Sequence, residues 1–285
     1  MSDVQAPPQK PAEAIRPLTQ REFDRISQLA YEKFGLELKR EKHELVSARL
    51  GKKARAARCR SFQDYYDQVQ EDRTGDALIE LIDALTTNFT GFLREPGHFE
   101  FLIQELLPGW RGLDRVRIWS AACSTGEEPY TIAFFLLDAL AGAARPLIRI
   151  AATDISSRAL TEAKRGVYPA DRLANLTPAW QRSFFLRGER NSEGLYRVKP
   201  EVAKLVDFHR LNLIEAFPKL DSFDVIFCRN VMIYFDKPTQ QKLIERLADR
   251  LEPGGYLLIG HSENLTGIEH ALTYVKPTVY RKALR

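Results

Sequence analysis

The chain has 285 residues, 44% of them hydrophobic and 28% charged, with a mean hydropathy of -0.32. That composition suits a globular protein with a sizeable core and excludes disordered, collagen-like and membrane-spanning classes. Lys and Arg number 42 against 38 Asp and Glu, a net charge of +4 that by itself selects no partner.

Residues 1–17 carry Pro7, Pro8 and Pro11 and no apolar run of signal-peptide length, so they read as a flexible tail and the protein is expected in the cytoplasm. Residues 18–87 read as a small helical N-terminal domain. Two helix starts carry capping boxes, Thr19 with Glu22 and Ser61 with Asp64. Phe23, Ile26 and Ala30 repeat at helical spacing before Gly35, and Leu78, Ile82 and Leu85 share a face of a fourth helix. Between Lys39 and Arg60 stand nine Lys or Arg against Glu41 and Glu44. Lys42, Arg49, Lys53 and Arg60 fall on one helical stripe, beside an apolar stripe of Val46, Leu50, Ala54 and Ala57. A solvated face and a nucleic-acid surface both fit such a run.

Residues 88–115 read as a linker and connecting helix. From Val116 to the end, short apolar runs alternate with helical stretches: 116–121, 148–155, 206–213, 223–230 and 256–263. Continuous apolar strands separated by helices predict a doubly wound α/β domain with a parallel sheet covered on both faces. The helix from Asp236 to Leu251 has a capping Asp236, Pro238 in its first turn and a stripe of Leu243, Ile244, Leu247 and Leu251, with Pro253-Gly254-Gly255 to end it. Residues 273–284 read as one closing strand, with Pro277 at a bulge or an edge. SFFLR and LYRVK flank a polar turn, which predicts an antiparallel hairpin at about 180–200, an excursion from the main sheet. Cys59, Cys123 and Cys228 stand far apart, and the five histidines include no H-x-x-x-H pair, so neither a disulfide framework nor a metal site is expected.

In an open parallel sheet the ligand lies beyond the carboxyl ends of the strands. After the first strand comes Ala121-Ala122-Cys123-Ser124-Thr125-Gly126-Glu127-Glu128, with one glycine and two carboxylates where a pyrophosphate would want bare N–H groups. A cationic ligand with a nucleoside part fits better than a dinucleotide. Alternatively, Glu127 and Glu128 only complement the dipole of the following helix. Asp154 ends the second strand, where an acid accepts ribose hydroxyls or caps the next helix. Arg229, Asn230 and Tyr234 follow the fourth strand, without the Pro-Pro motif of many amino-group methyltransferases.

The segments NFTGFLREPGHF (88–99), IWSAACSTGEEPYTIA (118–133), ATDISSRALTEAKRGVY (152–168), NLTPAWQRSFF (175–185), FHRLNL (208–213) and FDVIFCRNVMIYFDKPTQQKLIERLADRLEPGGYLLIGHSENL (223–265) closely resemble the CheR-type chemotaxis receptor glutamate methyltransferases, a likeness that covers roughly residues 18–283. The resemblance implies a class I (Rossmann-like) methyltransferase sheet with an all-helical N-terminal domain and an inserted antiparallel β-subdomain. It implies transfer of a methyl group from S-adenosylmethionine to glutamate side chains of methyl-accepting chemotaxis receptors. Matched motif by motif, the cofactor site includes Asn88, Thr90, Arg94, Glu128, Asp154, Asn212, Leu213, Arg229 and Asn230. Arg94 and Tyr234 fall nearest the methyl-transfer point. The choice of Glu128 over Glu127 rests on motif register alone.

A glutamate carboxylate, with a pKa of about 4.3, is already ionised at neutral pH and needs no general base, so orientation carries the catalysis. The partner implied is the cytoplasmic helical region of the receptors, met by the basic stripe Lys42, Arg49, Lys53 and Arg60. No nucleic-acid partner and no membrane insertion are expected, and a monomer is the default. The competing readings are a nucleic-acid methyltransferase using the same cofactor and a non-catalytic cofactor-binding regulator of receptors.

Overall fold

The computed structural model describes residues 15–86, 90–110, 112–141, 146–218 and 221–284. It divides into two compact units, Met1–Lys33 with Leu38–Thr87, and Phe34–Glu37 with Asn88–Arg285.

The first unit is helical: α1 (Gln20–Phe34), α2 (His43–Ala56), α3 (Phe62–Glu71) and α4 (Asp76–Leu85). The capping box of α1 closes in both directions, Thr19 N–H donating to Glu22 Oε2 at 2.9 Å and Glu22 N–H to Thr19 Oγ1 at 3.3 Å. At α3, Ser61 Oγ accepts from Asp64 N–H at 3.0 Å. Phe23, Ile26 and Ala30 are buried as their spacing requires, and so are Val46, Leu50 and Ala54. On α4, Ile79, Leu81, Ile82 and Leu85 form the buried face, with Leu78 only half-buried.

The basic stripe is shorter than its spacing suggests. Arg49 and Lys53 ride on α2, but Lys42 ends a separate 3-10 turn, Arg40–Lys42, and Arg60 follows a chain reversal at Arg58, whose φ is +59°. A periodicity that runs from Lys42 to Arg60 therefore breaks at both ends of a 14-residue helix. Two of the four cations also have partners within the unit. Arg49 Nη1 donates to the carbonyls of Leu85 and Thr86 at 3.3 and 3.2 Å, and Lys53 Nζ lies 3.3 Å from Glu80. Lys42 and Arg60 are exposed.

The second unit runs α5 (Gly97–Phe101), β1 (Arg115–Ala121), α6 (Glu127–Ala139), β2 (Leu147–Asp154), α7 (Ser157–Arg165), β3 (Val167–Pro169), α8 (Pro178–Phe184), β4 (Phe185–Arg187), β5 (Leu195–Val198), α9 (Pro200–Ala203), β6 (Val206–Arg210), β7 (Phe223–Cys228), α10 (Lys237–Asp249), β8 (Leu251–Ile259), β9 (Leu272–Lys276) and β10 (Val279–Lys282). The main sheet has the order β6-β2-β1-β7-β8-β10-β9, with its first five strands parallel. The order reverses between β1 and β7, where Ala121 pairs with Cys228 at the strand ends. That reversal opens a crevice at the carboxyl ends of those two strands.

Three elements differ from the sequence expectation. The closing segment is two antiparallel strands, β9 and β10, reversing at Pro277-Thr278 with Thr278 at φ +65°. Proline cannot donate to a ladder, so the chain turns there and leaves β9 at the edge. Leu251 belongs to β8 rather than to α10, whose last residue is Asp249. The excursion is a three-stranded antiparallel sheet, β3-β5-β4, with β3 recruited from the end of α7.

Candidate active site at the strand switch

The turn after β1 is built from uncommon backbone. Ala122, Ser124 and Gly126 take φ values of +66°, +49° and +96°, and non-glycine residues adopt such values only when their surroundings hold them. Gly126 has a steric reason as well, because a Cβ there would meet Ala163 Cβ at 2.9 Å and Tyr168 OH at 3.0 Å. The holding contacts come from β2. Cys123 N–H donates to Thr153 O at 2.9 Å and Ser124 N–H to Asp154 Oδ2 at 2.8 Å, while Asp154 Oδ1 accepts from Ser156 N–H at 2.9 Å. Asp154 thus joins both loops. Each carboxylate oxygen has two lone pairs, so hydroxyl donors can still be accepted.

Beside Asp154, its carbonyl accepts from Leu211 N–H at 3.0 Å. This brings the loop after β6 to the same sheet end. There Asn212 Nδ2 donates to Glu215 Oε1 at 2.9 Å, and Leu213 is buried. Arg246 of α10 donates to the carbonyls of Leu213, Ile214 and Glu215 at 2.6–2.7 Å and so fixes that loop from behind.

At the end of β7 the Arg229 side chain is 1% exposed. Its Nη1 donates to Glu128 Oε2 at 2.9 Å, and its Nη2 donates to Glu95 Oε2 at 2.9 Å and to Arg94 O at 2.6 Å. Ser120 Oγ donates to the other Glu128 oxygen at 2.7 Å, and Asn230 Nδ2 donates to Glu95 Oε1 at 3.1 Å. Burial pushes the Glu128 carboxyl above its ordinary pKa, with the Arg229 charge opposing. At Glu95 burial also raises the pKa, but the Asn230 and Arg229 hydrogen bonds and the Arg229 charge outweigh it and hold the carboxyl at about 2. The strand ends, the start of α6 and the 90–95 segment are therefore tied through one guanidinium.

The sequence-derived set is distributed unevenly over this network. Arg94, Glu128, Arg229 and Asn230 converge on it, and Asp154, Asn212 and Leu213 line the adjacent strand ends. Thr90 is buried, its carbonyl accepting from Arg172 Nη1 at 3.0 Å. Tyr234 is half-buried at the end of the turn Met232–Tyr234. Asn88 lies outside the described residues. Glu127 is fully buried, with Oε2 accepting from Thr125 Oγ1 at 2.7 Å and Oε1 lying 3.5 Å from Arg172. Of the pair, Glu128 alone contacts Arg229.

Sequence reasoning missed Glu95, whose carboxylate serves Arg229, Asn230 and the His261 N–H, and it missed Glu263. Neither stands in a pattern that marks a buried acid. Glu95, His98 and His261 offer ligand atoms within 4.8 Å of one another. The Arg229 guanidinium at 2.9 Å already neutralises Glu95, which disfavours a dication there.

The site suits a ligand that is cationic at one end and carries vicinal hydroxyls. Carboxylates stand at Glu128 and Asp154, and the Ser124 Oγ is buried in the turn with no hydrogen-bond partner.

Comparison with known proteins gives two family matches. The family described as "CheR methyltransferase, SAM binding domain" matches residues 88–281, and "CheR methyltransferase, all-alpha domain" matches 21–86. The chain is 41% identical over 266 residues to "Chemotaxis protein methyltransferase 2" of Pseudomonas aeruginosa, covering 93% of this chain and 94% of that protein. It is 41% identical to the "Chemotaxis protein methyltransferase" of Escherichia coli, with 92% and 91% covered. It is 39% identical to the protein of that name from Borreliella burgdorferi, with 93% and 95% covered.

Proposed function

The chain belongs to the CheR methyltransferase family, and from that premise we propose that it uses S-adenosylmethionine to esterify glutamate side chains of chemotaxis receptors. The observation that carries the reading is the Glu95–Arg229–Glu128 network at the strand switch, which joins the start of α6 to the segment bearing Arg94. When bound, S-adenosylmethionine supplies an electrophilic methyl on a sulfonium centre and leaves as S-adenosylhomocysteine.

The chain's own residues bind and orient. Asp154 accepts the ribose hydroxyls while keeping its two backbone donors. Glu128 faces the amino-acid end, with Arg229 preventing two adjacent carboxylates from repelling each other. Thr90, Asn212, Leu213 and Asn230 complete the cofactor walls, together with Asn88. Arg94 holds the substrate carboxylate by a charge-assisted hydrogen bond, and Tyr234 donates a second. No residue must remove a proton, because the attacking carboxylate is already ionised at neutral pH.

Among the described residues no helix is long and apolar enough to cross a membrane. We place the protein in the cytoplasm, acting as a monomer on the helical cytoplasmic region of the receptors, with Lys42, Arg49, Lys53 and Arg60, on and around α2, meeting acidic receptor helices and the exposed Lys42 and Arg60 making the approach. Incubation with methyl-labelled cofactor and either receptor-bearing membranes or RNA tests the reading, which requires label on receptor protein and none on RNA.

A further inference from the structure

The turn that carries Asn230 and Tyr234 is held from below by an acid that none of the roles above uses. Glu263 lies in the loop after β8 and is 8% exposed. Its Oε2 accepts from Gly260 N–H at 2.6 Å and Asn230 N–H at 3.0 Å, and its Oε1 accepts from Met232 N–H at 2.7 Å. Three backbone donors from two loops thus converge on one carboxylate. Asn230 sits there at φ +58°, a left-handed conformation that a side chain adopts only when held. That conformation sends Asn230 Nδ2 to Glu95 at 3.1 Å.

Gly260 makes the same point sterically. A Cβ there would collide with Asn230 Nδ2 and meet Asn230 N at 2.8 Å and Glu263 Oε2 at 2.9 Å. The opposite side of the turn is clamped from α10, where Gln240 Nε2 donates to the carbonyls of Met232 and Phe235, each at 2.9 Å. The turn's N–H groups are therefore gathered by Glu263 and its carbonyls by Gln240.

We propose that Glu263 is a positioning residue for methyl transfer: its carboxylate fixes the 230–234 turn so that Asn230 and Tyr234 stand ready at the end of β7. The inference rests on the methyltransferase reading. A glutamine at 263 has nearly the same shape, but it must turn an NH2 group toward at least one of the three N–H donors, because only a carboxylate offers acceptors on both sides.

The decisive variant is Glu263→Gln, with Glu269→Gln, an exposed acid of the same segment, as control. Methylation is measured at saturating cofactor and receptor, S-adenosylhomocysteine affinity by calorimetry, and amide exchange over residues 229–235 by mass spectrometry. We expect kcat to fall by about tenfold to hundredfold, the loss typical of a small misplacement of reacting groups. S-adenosylhomocysteine affinity should weaken by clearly less than kcat falls, because Asn230 is one of several cofactor walls whereas Tyr234 meets the reacting carboxylate, and exchange at Asn230 and Met232 should accelerate. If Glu263→Gln does not fold, Gly260→Ala displaces the same turn while leaving the carboxylate intact and must show the same split. Wild-type kcat in the folded variant, or unchanged exchange over 229–235, overturns the inference. A wild-type protein that transfers no methyl overturns the functional reading instead, and exchange over the turn still decides whether Glu263 holds it.

Discussion

Arg229 and Glu95 meet at 2.9 Å, with the Arg229 side chain 1% exposed, and the same guanidinium reaches Glu128 at 2.9 Å. One cation thus stands between two acids and leaves one net negative charge at the strand ends. Breaking a buried pair by removing one member costs about 3–5 kcal/mol, because the partner charge stays behind. Arg229→Ala leaves two such partners. Thermal unfolding of this variant should fall by roughly 10 °C or more, and a melting temperature within a degree or two of wild type would show that the network carries no stability.

Asp154→Ala removes the acceptor of Ser124 and Ser156 N–H as well as the proposed ribose contact. Hydrogen bonds to a charged group contribute about 1.5–3 kcal/mol each, so S-adenosylhomocysteine affinity should weaken by at least about tenfold. Calorimetric titration reads this directly. An unchanged dissociation constant in the folded variant would take Asp154 out of the pocket.

Tyr234→Phe deletes one hydroxyl and keeps the ring. Cofactor affinity should persist while single-turnover methylation slows by about tenfold, the order expected when one hydrogen bond to the reacting group is lost. A wild-type rate would make Tyr234 a packing residue.

The helical unit calls for exposed cations as probes, since Arg49 and Lys53 already bond to α4 and the adjoining Thr86. Lys42→Glu with Arg60→Glu should raise the apparent KM for receptor severalfold and flatten its salt dependence, because exposed charges are screened over about 10 Å at 0.1 M salt and about 3 Å at 1 M. S-adenosylhomocysteine binding should not change. The same KM and salt response as wild type would leave these cations as a solvated face.

His98 provides a pH signature. Burial and the nearby Arg229 charge, partly opposed by Glu95, lower its pKa from 6.5 to about 3, with His261 and Lys276 also disfavouring the charged ring. Between those values the unfolded chain binds the extra proton, so stability present above pH 6.5 is lost as pH falls. From pH 7 to pH 5 this one group should cost about 2 kcal/mol. His98→Gln should lose correspondingly less over that range in denaturant titrations, and parallel pH profiles for the two proteins would contradict the assignment.

Much of the architecture was legible because it rests on local pattern. Apolar runs such as VRIWSA and FDVIFC, alternating with helical stretches, point to covered strands, and Asp236 caps α10 by accepting from Thr239 N–H at 2.9 Å. What was not legible depends on contacts distant in sequence. Glu95 and Glu263 look like surface acids until Arg229 and three backbone amides are brought to them by the sheet order. The basic stripe failed as a continuous helix because periodicity does not reveal the reversal at Arg58. Asp154 is not the cap of α7, a place taken by Ser156, whose hydroxyl accepts from Ala159 N–H at 3.1 Å; its carboxylate instead ties Ser124 N–H and Ser156 N–H together at the strand ends.

The central claim is that the product is a methyl ester on receptor glutamate, and its most direct measurement is the lability of the transferred label. Receptor methylated with methyl-labelled S-adenosylmethionine is isolated and treated with mild base, and the volatile fraction is collected. The account predicts that the label leaves the receptor quantitatively as methanol and that replacing the receptor's modified glutamates by alanine abolishes labelling. Label that resists base, or label that persists after those replacements, would contradict it.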